Sequence, residues 1–166
     1  KIYHTLRLIP MMVQKTNNEI PSRSIKADDI EKKSDFNSFV LTEKLKDTIT
    51  VMDEIRSIIG QPIIIVDGCR FRGKQTSFHF FKNFCALDIW TKGYNSVEFM
   101  QVIEDNDLGT GRGLYLDEDY IHLDTRNGKS SKEGKVERFY RNEKGNYKDQ
   151  GRDYFKKPFA GYLKTD

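Results

Sequence analysis

Residues 41–70 read LTEKLKDTITVMDEIRSIIGQPIIIVDGCR, and this stretch decides the fold. Its first part carries one apolar stripe at helical spacing, made of Leu41, Leu45, Ile49, Met52, Ile55 and Ile59. Thr42 is a suitable N-cap and Gly60 a suitable C-terminal stop, so the pattern predicts a helix over 42–59.

A short β-branched run, IIIV, follows the helix at 63–66. Such a run between turn residues is typical of a buried strand. The strand should end at Asp67, which places Cys69 and Arg70 at its C-terminal edge. Edges of this kind present side chains to clefts.

The rest of the chain alternates apolar runs with turn residues. The predicted elements are a strand at 85–90, a helix at 96–104 with Ser96 as N-cap, a tight glycine connection at 109–113, strands at 114–116 and 120–126, and a hairpin at 138–147. Within 120–126, Tyr120, His122 and Asp124 share one face because side chains alternate along a strand.

Composition and charge limit the classes of function that the chain can have. The 166 residues are 37% hydrophobic and 32% charged, which suits one core with a modest appendage, and no apolar run is long enough to span a membrane. Residues 128–166 hold 11 Lys+Arg and 6 Asp+Glu, a balance of +5, whereas the remainder holds 17 and 19, a balance of −2. A basic tail predicts contact with an anionic surface or polymer, and a solvated tail is the alternative. The tail has no nucleic-acid-binding motif, so no nucleic-acid partner is predicted.

These features divide the chain into three predicted regions. Residues 1–36 form an N-terminal arm or linker, since 14–36 are polar, and the apolar first 13 residues are a candidate strand for pairing with a partner protein. Residues 37–127 form the main domain, and 128–166 form the basic extension. The two cysteines, Cys69 and Cys85, exclude a disulfide scaffold and a four-cysteine zinc site; they permit one bridge or two buried free thiols.

Two histidines and an aspartate are candidate metal ligands. His79 precedes the strand that carries Asp88, and His122 lies mid-strand, three residues after Asp119. Two imidazoles and a carboxylate are typical of catalytic zinc, with a fourth position left for water. Taken singly, each histidine could instead be a packed residue and the acidic turn a solvated loop. Asp88, between two apolar neighbours, must be paired, hydrogen-bonded or metal-bound.

Four sequence blocks resemble a family of zinc peptidases. They are GQPIIIVDGCR (60–70), SFH (77–79), ALDI (86–89) and YIHLDTR (120–126). In the same order, the family has G-x-P-I-x-I-x-S-G-Y-R, S-x-H, A-x-D-I and F-V-H-x-D-x-R. That family includes D-alanyl-D-alanine carboxypeptidases, D,D-dipeptidases and phage L-alanyl-D-glutamate endolysins, and the metal-binding fold of hedgehog signalling domains is related. The match covers about residues 41–126.

The resemblance implies a fold, a metal and roles for individual residues. The fold would be α+β, with a small antiparallel sheet, flanking helices and a site in a cleft over the sheet. The implied roles are zinc ligation by His79, Asp88 and His122, general base catalysis by Asp119, stabilisation of the carbonyl or oxyanion by Arg70, and substrate binding by Ser77. Candidate cleft walls are Phe80, Phe81, Trp90 and Tyr115, of which Trp90 and the two phenylalanines could instead be core residues.

The chain departs from the family pattern in spacing. His79 and Asp88 are nine residues apart where the family has seven, and the intervening glycine is missing. Two extra residues on a regular strand would shift Asp88 by about 6.6 Å without changing its face. We therefore predict a bulge or short turn at Lys82–Asn83, with Phe84 packed inward. The serine and tyrosine that precede the family's arginine are here an aspartate and a cysteine.

The implied function is zinc-dependent hydrolysis of a peptidoglycan stem-peptide bond by an extracellular, periplasmic or phage virion-associated protein. The basic tail would hold the domain on the anionic cell wall. An alternative is a non-catalytic structural or wall-binding module, such as a virion component, that keeps the peptidase fold. The altered spacing and the arm at 1–36 favour this alternative.

Overall fold

The computed structural model describes residues 20–35, 39–142 and 144–149. One six-stranded mixed sheet has the strand order β1-β2-β4-β3-β5-β6. The strands are β1 (Ile63–Asp67), β2 (Ala86–Thr91), β3 (Gly111–Tyr115), β4 (Tyr120–Asp124), β5 (Glu137–Arg141) and β6 (Tyr147–Asp149). The helices are α1 (Ala27–Glu31), α2 (Glu43–Ile59) and α3 (Ser96–Asp105). The predicted α+β class is confirmed.

The prediction of an antiparallel sheet is wrong for one pair of strands. The first four strands pair antiparallel, but β5 runs parallel to β3. After β4 the chain crosses the start of β3 and begins β5 beside it, where the Glu137 N–H donates to the Thr110 carbonyl (2.7 Å). Strand β5 therefore runs antiparallel to β4, as in a hairpin, but it lies on the far side of β3 and so pairs parallel with that strand.

Helix α2 forms as its apolar stripe predicts. The Thr42 side chain accepts from the Leu45 N–H (3.0 Å) at the N-terminus, and Gly60 ends the helix in the left-handed region at φ 67°. The buried face of α2 and that of α3 pack on one face of the sheet, against Leu87, Ile89, Leu114, Ile121 and Leu123. The opposite sheet face is left for the site.

Helix α3 starts at the predicted residue with a different cap. Asn95, rather than Ser96, is the N-cap: its side chain accepts from the Glu98 N–H, and the Glu98 carboxylate accepts from the Asn95 N–H, both at 2.9 Å. This reciprocal pair satisfies two N–H groups at once.

The predicted glycine connection at 109–113 is instead largely strand β3. Gly113 lies opposite His122, and Gly111 lies opposite Asp124. A Cβ at Gly113 would overlap the Phe139 ring and come within 2.8 Å of the His122 Cβ, and a Cβ at Gly111 would overlap the Asp124 carboxylate. Both glycines therefore make room for neighbouring side chains rather than for a turn.

Residues 20–35 contribute to the core, contrary to the expectation of an arm with little core of its own. Ile20, Ile25, Ala27 and Ile30 are buried in the main cluster, and α1 packs beside β1. These four apolar residues are enough to anchor the segment, because all four are buried in the main hydrophobic core. Residues 1–19, with the candidate strand at 1–13, lie outside the described residues.

The predicted C-terminal hairpin is confirmed up to residue 149. Strands β5 and β6 pair antiparallel and extend the same sheet, so the described part of the basic extension is continuous with β1–β4.

Cys69 and Cys85 are buried free thiols, and burial raises the pKa of each to about 12. Among the described residues, no helix has the length and apolarity needed to cross a membrane.

Candidate metal centre

The segment between β1 and β2 folds back so that His79 faces the sheet. The N–H of Arg70 donates to the His79 carbonyl (2.7 Å), and the N–H of Phe81 donates to the Arg70 carbonyl (3.0 Å). A turn then closes with the Asn83 N–H on the Phe80 carbonyl (2.8 Å).

This turn is the one predicted from the spacing of the two ligands. It occupies residues 81–83, and Phe84 behind it is completely buried, as predicted. Asp88 then enters β2 opposite His122.

Three predicted ligands meet at one point. His79 Nε2 lies 3.1 Å from Asp88 Oδ1, His122 Nδ1 lies 3.0 Å from the same oxygen, and the two nitrogens are 3.0 Å apart. All three side chains are buried. This buried group could hold a metal ion.

The outer nitrogens of both histidines are committed to acceptors. His79 Nδ1 lies 2.9 Å from the Gly68 carbonyl, and His122 Nε2 lies 2.8 Å from Asp124 Oδ2. A carbonyl and a carboxylate only accept, so each outer nitrogen carries the hydrogen. In the neutral imidazoles, the lone pairs of His79 Nε2 and His122 Nδ1 then point inward. They face each other and Asp88 Oδ1.

Such a cluster needs a cation at its centre. Three acceptors with no donor between them repel one another, and Asp88 Oδ2 is buried without a hydrogen-bond partner among the described residues. Two imidazole nitrogens and a carboxylate with outer groups fixing the imidazoles are the donor set of metal sites of the zinc type. The residues therefore fit a metal.

Without a metal, a proton serves as the cation. Burial alone would lower the pKa of His122, but its hydrogen bonds to Asp124 and Asp88 outweigh burial and raise the pKa to about 9. Burial alone would raise the pKa of Asp88, yet its interactions with His79 and His122 outweigh burial and hold that pKa well below its usual range. Metal and proton compete for the same position.

Asp124 and Arg126 support His122 from behind. Arg126 Nε and Nη2 donate to the Asp124 carboxylate at 2.9 and 2.6 Å, and Nη1 donates to Glu137 at 2.9 Å. The Arg126 guanidinium also stacks 3.9 Å from the centre of the Phe78 ring. The sequence indicates only that Asp124 shares a face with His122, and no pattern in it marks Arg126 as the partner of Asp124.

A cleft of about 770 Å³ opens over the cluster. Predicted site residues Arg70, Ser77, Phe80 and Tyr115 line it with His79 and His122, and so do Arg72, Lys74, Arg126, Glu137, Phe139 and Tyr147. The other two predicted walls are elsewhere. Phe81 stacks on Phe71 at 4.9 Å, and Trp90 is exposed on β2 next to Ile64.

Arg70 and Ser77 line the same cleft as His79 and His122. Arg70 Nε donates to Asp67 Oδ2 (2.6 Å), and Nη2 lies 3.6 Å from the unpartnered Asp88 Oδ2. Asp67 thus fixes the arginine beside the cluster. The Ser77 hydroxyl accepts from the His79 N–H (3.2 Å), which holds the turn that presents that ligand.

Comparisons of the chain with models of protein families, with curated proteins and with solved structures find no match. The resemblance over residues 41–126 therefore stays a prediction. It depends on the four sequence blocks.

Asp119 is not brought into the cluster. It occupies the β3–β4 turn at φ 56°, and its Oδ1 accepts from the Ser96 N–H (2.7 Å) at the start of α3. It is exposed and does not line the cleft, whereas Glu137 does. The general-base role of Asp119 stays a prediction, and Glu137 is a second carboxylate to consider.

Proposed function

We propose that the chain is a zinc-dependent peptidase that cleaves a peptidoglycan stem-peptide bond. The convergence of His79 Nε2, His122 Nδ1 and Asp88 Oδ1, with both imidazole N–H groups bonded outward, is the observation that carries this proposal. Zinc accepts this nitrogen and oxygen set, and a three-residue set leaves a coordination position open, as catalytic zinc sites do.

Hydrolysis adds water across an amide C–N bond and yields a carboxylate and an amine. Zinc at the cluster would supply Lewis-acid polarisation of the carbonyl and activation of water. Arg70, beside the cluster, would offset negative charge that develops on the carbonyl oxygen. A carboxylate, Asp119 or Glu137, would take the proton from water and return it to the leaving nitrogen.

The substrate class is supported by the charge of the cleft. Arg72 and Lys74 are exposed at its mouth, and no ion pair or hydrogen bond of either side chain occurs within the described residues. Unpaired cations favour an anionic ligand, and stem peptides carry free carboxylates. The substrate would place the protein outside the cytoplasm, in the periplasm, the extracellular space or a phage virion.

A non-catalytic module with the same fold is the second candidate. The hydrogen bond from Ser96 to Asp119 favours it, because it commits the predicted base to the N-terminus of α3. Such a module would bind cell wall without hydrolysing it, and a proton in the cluster could take the place of the metal. Its partner protein would contact the segment 1–36.

The test compares zinc content and hydrolysis in one preparation. Zinc-loaded protein is incubated with purified peptidoglycan, and released fragments are identified by mass spectrometry, with His122→Ala as the metal-site control. We expect one zinc per chain and new amino termini only with wild-type protein. Stoichiometric zinc without new termini would contradict the enzyme and support the binding module.

A further inference from the structure

Tyr115 lies on the sheet face that carries the metal cluster. Gly113 stands directly opposite His122, and alternation along β3 places Tyr115 on the same face one step further. The Tyr115 side chain lines the cleft together with Arg70 and both histidines. It is buried, so its hydroxyl reaches a ligand only through that cleft.

The Tyr115 ring is held from several sides. The ring centre of Tyr120 is 4.7 Å away, that of Phe139 5.9 Å and that of Tyr147 6.2 Å, and the Arg141 guanidinium lies 4.6 Å above the ring. A ring packed in this way cannot change rotamer freely. Its hydroxyl is therefore fixed before any ligand arrives.

The hydroxyl belongs to a side chain that lines the same cleft as Arg70 and the two histidines. Burial, and after it the negative charge of Asp88, raises the pKa of Tyr115 far above its ordinary value, and a hydrogen bond with Tyr147 acts in the same direction. Burial would lower the pKa of Arg70, but Asp67, Asp88 and Tyr115 together raise it. Tyr115 thus stays protonated beside the guanidinium that faces Asp88.

We propose that the Tyr115 hydroxyl exchanges its hydrogen bond to Tyr147 for one to the substrate and donates to the carbonyl oxygen of the scissile peptide bond. It would work with Arg70 from the same side of the cluster. Two fixed donors aimed at developing negative charge stabilise a transition state more than a ground state. The inference rests on the proposed function, and it gives Tyr115 a catalytic role beyond that of a cleft wall.

The variant that tests the proposal is Tyr115→Phe, because phenylalanine keeps the ring and removes only the hydroxyl. Tyr120→Phe is the matched control: its ring touches Tyr115, but its hydroxyl bonds to Glu118. The probe is a phosphinic dipeptide, a tetrahedral anion that imitates the transition state, bound to zinc-loaded protein and followed by calorimetry.

We expect Tyr115→Phe to weaken phosphinate binding by about tenfold or more and to lower kcat by about 10²-fold, with KM and zinc affinity unchanged. Tyr120→Phe should match wild type. Equal phosphinate affinity in wild type and Tyr115→Phe would overturn the proposal, as would wild-type protein that binds no phosphinate. Absence of hydrolysis by zinc-loaded wild type would overturn the proposed function, and the phosphinate measurement would still decide the role of Tyr115.

Discussion

The His122 Nε2–H donates to Asp124 Oδ2 at 2.8 Å, which turns Nδ1 of the same ring toward the metal cluster. Asp124 is completely buried and is neutralised by Arg126, which donates to both of its oxygens. Outer partners of this kind fix the tautomer and orientation of a ligating imidazole.

Asp124→Asn should therefore weaken zinc binding by about 10- to 100-fold while the three ligands stay in place. Zinc affinity is measured by competition with a chelator. Asp105→Asn, at the exposed end of α3, is the control and should leave the affinity unchanged. Equal affinities in the two variants would show that Asp124 does not orient the ligand.

Gly113→Ala tests the close packing of the glycine strand. The new methyl group would overlap the Phe139 ring and crowd the His122 Cβ, so we expect a loss of about 1–3 kcal/mol in the free energy of unfolding. Denaturant unfolding measures this loss.

A double-mutant cycle with Phe139→Ala separates the two contacts. Removing the Phe139 ring should recover part of the stability that Gly113→Ala loses. No recovery would mean that Phe139 is not the residue that requires glycine at this position.

Zinc binding should depend on pH through His122. The pKa of His122 is about 9 in the metal-free protein, against an ordinary value of 6.5, so the ring is protonated at pH 7 and must lose that proton to bind zinc. Affinity should rise about tenfold per pH unit between pH 7 and 9 and level off above.

The raised pKa of His122 also makes the stability of the metal-free protein depend on pH. The pKa is raised, so stabilisation by protonated His122 is complete below pH 6.5 and is lost as the pH rises through about 9. The increase in Tm caused by zinc should therefore grow across this interval. Calorimetry in two buffers of different ionisation enthalpy should show release of about one proton per zinc at pH 7. Zinc binding without proton release would contradict the raised pKa of His122.

Asp119→Asn tests the predicted general base. The asparagine oxygen can still accept from the Ser96 N–H, so folding and zinc content should stay intact. Peptidoglycan hydrolysis should fall by about 10²- to 10⁴-fold if Asp119 is the base.

Glu137→Gln is the paired variant, since Glu137 lines the cleft and pairs with Arg126. Loss of activity in Glu137→Gln alone would transfer the role of base to Glu137. Wild-type rates in both variants would remove both carboxylates from the mechanism.

The features that could be predicted from sequence are local ones. Helix α2 follows from an apolar stripe with a cap at each end, and the turn before β2 follows from the polar pair Lys82–Asn83 between two phenylalanines. The three ligands could be named because they stand, in the same order, in sequence blocks that resemble those of the zinc peptidases.

The features that could not be predicted depend on distant partners. The parallel pairing of β5 with β3 joins segments more than 20 residues apart, and nothing near Gly113 in sequence indicates that Phe139 fills its space. The direction of the Asp119 carboxylate depends on a positive φ in the turn and on the start of α3. The residue pattern within one segment does not indicate which distant residues it will contact.

The most direct test of the metal centre is X-ray absorption at the zinc edge on the purified full chain loaded with one equivalent of zinc. The account predicts one tightly held zinc with two imidazole ligands and oxygen ligands at about 2.0–2.2 Å, and loss of that zinc in His79→Ala, Asp88→Ala and His122→Ala. Zinc that lacks imidazole scattering, or that is held equally by the three variants, would contradict it.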